Sequence, residues 1–143
     1  MSLRFLNENR MTCTCGHHAE SLVSHRQVEQ IEQLVAEFFR SHALRILAQS
    51  HADVNSPSAV KQAMLEHYEH IFTAFADEMP YAFMHITYPN AAEAEAELKR
   101  TFAGKQPSPV DLLQFSCRDA HAHSHMIAAY RHCFATLLEG YLP

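Results

Sequence analysis

The sequence predicts an all-α protein, and three observations support that prediction. Apolar residues recur with a helical period over most of the chain, and no segment alternates between polar and apolar residues as a strand does. The pairs Ser56-Pro57 and Ser108-Pro109 are typical helix starts, with a capping hydroxyl before a proline. We expect a four-helix bundle-like single domain over residues 21–143, with three long helices and one short one, after a flexible N-terminal tail over residues 1–20.

The first helix is expected to begin after Ser24 and to run to about Ser50. Ser24 and Gln27 have the spacing of a capping box, in which the hydroxyl accepts a hydrogen bond from a free amide of the first turn. The apolar residues that follow with helical period are Val28, Ile31, Val35, Phe38, Phe39 and Ile46.

The second helix is predicted to start at Pro57 and to end at Pro80, because proline disrupts a helix interior. Residues 81–89 are apolar without a clean period, which fits a short helical turn or a packed loop. A third, more exposed helix is predicted from Asn90, as its cap, to Gly104, a residue type that favours helix C-termini.

The fourth helix is predicted to run from Pro109 to about Glu139, with Gly140 closing it. Its apolar face consists of Leu112, Phe115, Met126, Tyr130, Cys133, Leu137 and Tyr141. Asp119 and His123 interrupt that face. Because they are four positions apart, their side chains should be neighbours on the helix surface.

Histidine is the unusual feature of the composition, since the chain has 12 His against 11 Lys and Arg combined. On a helical wheel, His42 falls at the centre of the apolar face of the first helix. A carboxylate that faces a core must be paired, neutralised or bound to a metal. We therefore predict that His42, Asp119 and His123 bind a transition metal (Zn²⁺, Fe²⁺ or Ni²⁺), with an open position for water or substrate. The same residues also fit a simple Asp119–His123 pair, with His42 hydrogen-bonded in the core.

A second stripe on the fourth helix consists of Cys117, His121, His125 and His132. It lies beside the apolar face, and we expect it to be a solvated polar surface. His121 and His125 nevertheless have the spacing at which two imidazoles reach one metal. A subunit contact is the other interpretation of this stripe.

The tail carries four potential metal ligands: Cys13, Cys15, His17 and His18. Thiolates and imidazoles this close together bind soft or borderline metals in almost any flexible peptide. Their spacing matches no zinc finger, and we expect a disordered tail rather than an ordered site.

The predicted arrangement resembles that of DinB-type metal bundles, which also combine one His from an early helix with ligands from the last helix. The resemblance is in layout and not in any sequence motif. It therefore assigns the chain to no family.

Composition excludes other classes. The net charge of −5 argues against nucleic acid, and no apolar run reaches the roughly 18 residues that span a membrane. Without a secretory signal the chain is expected in the cytoplasm, where Cys117 and Cys133 would be free thiols. If both lay on one helix, they would be about 24 Å apart, too far to form a disulfide.

The predicted function is a metalloprotein, either an enzyme or a sensor. The alternative is a non-enzymatic ligand-binding regulatory or protein-interaction module without metal. A small-molecule ligand and a homodimer are left open.

Overall fold

The computed structural model describes residues 22–139, and this part of the chain forms six helices and no strand. The prediction of an all-α protein is confirmed. Helix α1 has three parts: an α-helical part His25–Glu37, a π-helical segment Phe38–Ala43 and a second α-helical part Leu44–Gln49. The other helices are α2 (Pro57–Glu66), α3 (Tyr68–Thr87), α4 (Ala91–Phe102), α5 (Pro109–Ser116) and α6 (Ala120–Glu139). The predicted tail over residues 1–20 and the predicted closure at Gly140 lie outside the described residues.

The predicted helix starts are confirmed. The capping residues are Ser24, Ser56, Asn90 and Ser108, and each side chain accepts a hydrogen bond from the backbone amide three residues later. The capping box of Ser24 and Gln27 is complete in both directions. At the end of α4, Ala103 and Gly104 adopt φ angles of 48° and 84°, the left-handed conformation that favours glycine at a helix C-terminus.

The prediction that Pro80 ends a helix is wrong, because α3 continues through Pro80 to Thr87. A proline inside a helix removes a hydrogen bond and costs about 3 kcal/mol. Tertiary packing offsets that cost, since α3 makes its most extensive contact with α5, and Met84, beyond the proline, packs with Leu112 and Phe115 of that helix. There the Thr87 hydroxyl donates a 2.8 Å hydrogen bond to the carbonyl oxygen of Ser116. The predicted second helix is also divided, at His67, into α2 and α3.

The predicted fourth helix is likewise two helices, α5 and α6, separated at residues 117–119. Arg118 has a left-handed φ of 73°, which ends the regular turn. Its guanidinium donates a hydrogen bond to the carbonyl oxygen of Thr87 at 3.0 Å and lies 5.0 Å from the centre of the Tyr88 ring. These contacts hold the break against α3. Cys117 therefore lies at the break and Cys133 in α6, and both are free, buried thiols.

Helices α1 and α6 lie side by side and run in the same direction. At their N-terminal ends the Leu22 amide donates a 2.9 Å hydrogen bond to the Asp119 carboxylate. Two turns farther along, Glu32 lies beside His125, and beyond that the Phe39 ring packs on the ring of Tyr130.

The Tyr130 ring is at the centre of the aromatic core. It contacts rings from α1, α3 and its own helix, namely Phe39, Phe72, Phe75 and Phe134, with centroid distances from 4.8 to 6.3 Å. Helix α6 is thus covered by α1 and α3, and also by α2. More than one of its faces is therefore buried. Among the described helices, none is both long enough and apolar enough to cross a membrane.

Candidate functional site

His42 occupies a different position from the one that the helical wheel predicts. It lies in the π-helical segment, whose wider turn accommodates an extra residue and rotates the side chains by about 100° from the α-helical register. Its side chain is 40% exposed, stacks on the Phe38 ring at 5.6 Å, and places Nε2 3.4 Å from the Glu78 carboxylate. His42 is therefore at the α1–α3 surface and not at the centre of the bundle.

Asp119 caps helix α6 instead of lying on its face. One carboxylate oxygen accepts a hydrogen bond from the Ala122 amide at 3.0 Å, and the other accepts one from the Leu22 amide at 2.9 Å. His123 is one turn farther on and half-buried, and burial lowers its pKa. The Asp119 carboxylate thus stabilises the start of α6 and connects it to the chain before α1.

Within residues 22–139, no three His, Cys, Asp or Glu side chains are already arranged around a point that could hold a metal ion. His42 contacts Glu78, whereas Asp119 bonds to Leu22 and Ala122. The metal site predicted from His42, Asp119 and His123 therefore stays a prediction.

The interpretation of the second histidine stripe as a solvated surface is wrong. Cys117 and His121 are buried, the latter to 4% exposure, and the His125 side chain is only 16% exposed. The helical wheel assigned only one buried face to α6, whereas α1 covers a second face of this helix. This second side carries His121 and His125.

Facing His125 from α1 is Glu32, a carboxylate that the sequence analysis missed. Its side chain is 2% exposed, and its Oε2 atom lies 3.4 Å from Nδ1 of His125. Oε2 is the one buried side-chain oxygen or nitrogen in the described part of the chain that has no hydrogen-bond partner. Burial raises the pKa of Glu32; the neighbouring His125 opposes that increase, and the charge of Glu29 adds to it.

Two further imidazoles extend this site. The His121 ring packs edge-on against the His125 ring at a centroid distance of 4.8 Å, and the His25 ring packs against His121 at 6.3 Å. We refer to His25, Glu32, His121 and His125 as the Glu32 cluster. It spans the interface between α1 and α6, and its donors are one carboxylate and three imidazoles.

A sequence signal for Glu32 existed. The residue is four positions after Val28 and three before Val35, so it lies in the apolar stripe of α1. A carboxylate in such a stripe is as notable as Asp119 is on the last helix. Its partner could not be inferred, because nothing local indicates that α1 and α6 are neighbours with parallel directions.

Comparison with known proteins finds no matching family model, no similar curated sequence and no similar solved structure. Function must therefore be inferred from the chemistry of the residues themselves.

Proposed function

We propose that this protein binds one transition metal ion, and that the ion is held by the Glu32 cluster. The observation that carries the proposal is the buried Oε2 atom of Glu32, which has no hydrogen-bond donor among the described residues and faces an imidazole. A buried carboxylate without adequate compensation is costly. A cation bound at Oε2 would compensate it.

The distance between Glu32 and His125 is compatible with two ligands of one metal ion. Two ligand atoms that each lie about 2.1 Å from a tetrahedral ion are about 3.4 Å apart. Nδ1 of His125 and Oε2 of Glu32 are 3.4 Å apart, which is long for a charge-assisted hydrogen bond. Two imidazoles on one such ion have ring centres about 5 Å apart, and the rings of His121 and His125 are separated by 4.8 Å.

Carboxylate and imidazole donors favour Zn²⁺, Fe²⁺ or Ni²⁺ over Mg²⁺ or Ca²⁺. Ligands from α1 and α6 would join these two helices, so that metal binding stabilises the bundle. An ion with a remaining open position would activate a bound water for hydrolytic chemistry. An ion whose positions are all filled would act in structure or sensing.

Metal content of the purified, untagged protein tests the proposal. We expect one tightly held ion per chain by elemental analysis, and its loss in Glu32→Gln and in His125→Gln. The control is His42→Leu, whose imidazole lies on the surface at Glu78. If His42→Leu and His123→Leu lose the metal while Glu32→Gln keeps it, the ion belongs to His42, Asp119 and His123 instead.

A second candidate is a ligand-binding module without metal. A cleft of about 510 Å³ lies between α3 and the start of α4. Apolar side chains such as Tyr81, Met84 and Leu98 line it together with the polar His85 and Glu95. A protein that contains no metal but gains thermal stability from a small apolar ligand would support this function.

The free thiols of Cys117 and Cys133 are consistent with a reducing compartment, and we propose that the protein is cytoplasmic. Sedimentation of the purified protein tests whether it forms a homodimer.

A further inference from the structure

We propose that the groove between α3 and α6 is the contact surface of a two-fold symmetric homodimer, in which a second copy of this chain covers the groove. The surface is separate from the Glu32 cluster, which lies between α1 and α6, and the contact requires no metal ion.

The groove exists because α3 and α6 are bridged by side chains rather than by close backbone packing. The closest helical neighbours of α6 are α1 and α2, whereas α3 reaches it through aromatic rings such as Phe72, whose centre lies 5.7 Å from that of Tyr130. The space beside these two rings has a volume of about 520 Å³. Its other apolar walls are Tyr68, Phe134, Ala135 and Leu138. The groove thus presents a mainly aromatic surface, and aromatic residues are enriched in protein–protein interfaces.

Tyr68 supplies a group that projects from this surface. It is the first residue of α3, and it is 54% exposed although it lines the groove. A surface that carries a concave site and a projecting ring beside it is complementary to an identical surface, because a two-fold axis lets the ring of each copy enter the groove of the other. Tyrosine is among the side chains that contribute most to binding at interfaces.

The charges beside the groove favour an identical partner. Glu69 lies on the α3 wall and Arg131 on the α6 wall, and both residues are exposed. Within residues 22–139 neither forms an ion pair, and the Glu69 carboxylate accepts a hydrogen bond from the Tyr68 hydroxyl at 3.3 Å. A two-fold axis parallel to the groove places Glu69 of each copy opposite Arg131 of the other, so that two ion pairs form together. A partner with a uniformly acidic or basic surface would instead oppose one of these charges with a like charge.

Sedimentation equilibrium of the full-length protein over a range of concentrations tests the proposal, because it measures the mass and the dissociation constant of a dimer. We expect the wild type to sediment with twice the mass of one chain. Glu69→Arg and Arg131→Glu should each raise the dissociation constant at least about tenfold, because each change places like charges opposite one another. The double variant Glu69→Arg/Arg131→Glu exchanges the two charges and should recover the wild-type dissociation constant.

Two further variants complete the experiment. Lys99→Glu is the matched control, a charge reversal at a side chain that is 77% exposed on α4, the helix that follows the far end of α3. It should leave the dissociation constant unchanged. Tyr68→Ser removes the projecting ring without adding a charge and should also weaken the dimer. All these side chains are exposed, so each variant should keep the helical circular dichroism spectrum of the wild type.

Three results would overturn the proposal. The first is a monomeric wild type, including one whose groove binds a small apolar dye, since the occupant would then be a small ligand. The second is a dimer that both single charge reversals leave intact, which would place the contact on another surface. The third is a double variant that remains as weak as the single ones, because Glu69 and Arg131 would then not face each other between the two copies.

Discussion

Replacing Glu32 and His125 together with leucine should have opposite consequences in the absence and in the presence of metal. Without metal, the two side chains form a buried pair that is incompletely bonded, since Oε2 has no hydrogen-bond donor in the described part of the chain. Substitution of such a pair by apolar residues of similar size is neutral or stabilising by about 1–4 kcal/mol. The double variant in chelator should therefore unfold at the same temperature as the wild type, or at a higher one.

The single variant His125→Leu supplies the internal comparison. It leaves the Glu32 carboxylate, which is 2% exposed, without its imidazole neighbour. Removal of one partner of a buried pair costs about 3–5 kcal/mol, so this variant should be the least stable of the three in chelator. If it is as stable as the double variant, the carboxylate is not buried beside His125 in the way described.

In the presence of metal, the order of stability among these proteins changes. Zinc at a free concentration one hundred times its dissociation constant stabilises the wild type by about 2.7 kcal/mol. For a chain of this size that gain raises the melting temperature by roughly 10 °C. The double variant lacks two ligands and should gain nothing. Thermal unfolding followed by circular dichroism measures the melting temperature of each protein in chelator and in excess Zn²⁺. An equal increase with zinc in the wild type and the double variant would refute the site.

Two further predictions concern pH and the α6 cap. Burial raises the pKa of Glu32 above its ordinary value of 4.5, so the folded state holds this proton more tightly than the unfolded state. The resulting stability is present below pH 4.5 and is lost as pH rises through the folded-state pKa. Urea unfolding in chelator should therefore show the wild type losing stability relative to Glu32→Leu over that range, and a constant difference would contradict it. Asp119→Ala removes the cap of α6 and should lower the free energy of unfolding by about 1–2 kcal/mol, measured by thermal unfolding. The variant should keep its metal, and loss of the ion would favour the site formed by His42, Asp119 and His123.

The accuracy of the sequence predictions depends on how local each feature is. Ser24, Asn90 and Ser108 were recognisable as caps because a cap bonds an amide only three residues away. The continuation of α3 through Pro80 was not recognisable, because Met84 and Thr87, beyond the proline, are held by contacts with the distant helix α5. The break at Arg118 had one local sign, an aspartate at position 119 able to cap a new helix, but the apolar period on both sides concealed it.

The candidate site shows the same difference between local features and those that depend on tertiary packing. Histidine content and the His121–His125 spacing drew attention to α6, whereas the wheel placed His42 in the core and the second stripe in solvent. The π-helical segment changed the register around His42, and α1 buried the side of α6 that carries His121 and His125. A wheel assumes a regular helix with one covered face, and neither assumption holds here.

By itself the sequence determined the all-α class, the helix starts and the supply of carboxylate, imidazole and thiol groups. These properties depend on residue type and on neighbours within one helical turn. Only the tertiary structure decided that Glu32 meets His125, because their contact requires α1 and α6 to pack side by side in the same direction. Burial then changes the chemistry of Glu32, since a carboxylate removed from water must find a proton, an imidazolium or a metal ion.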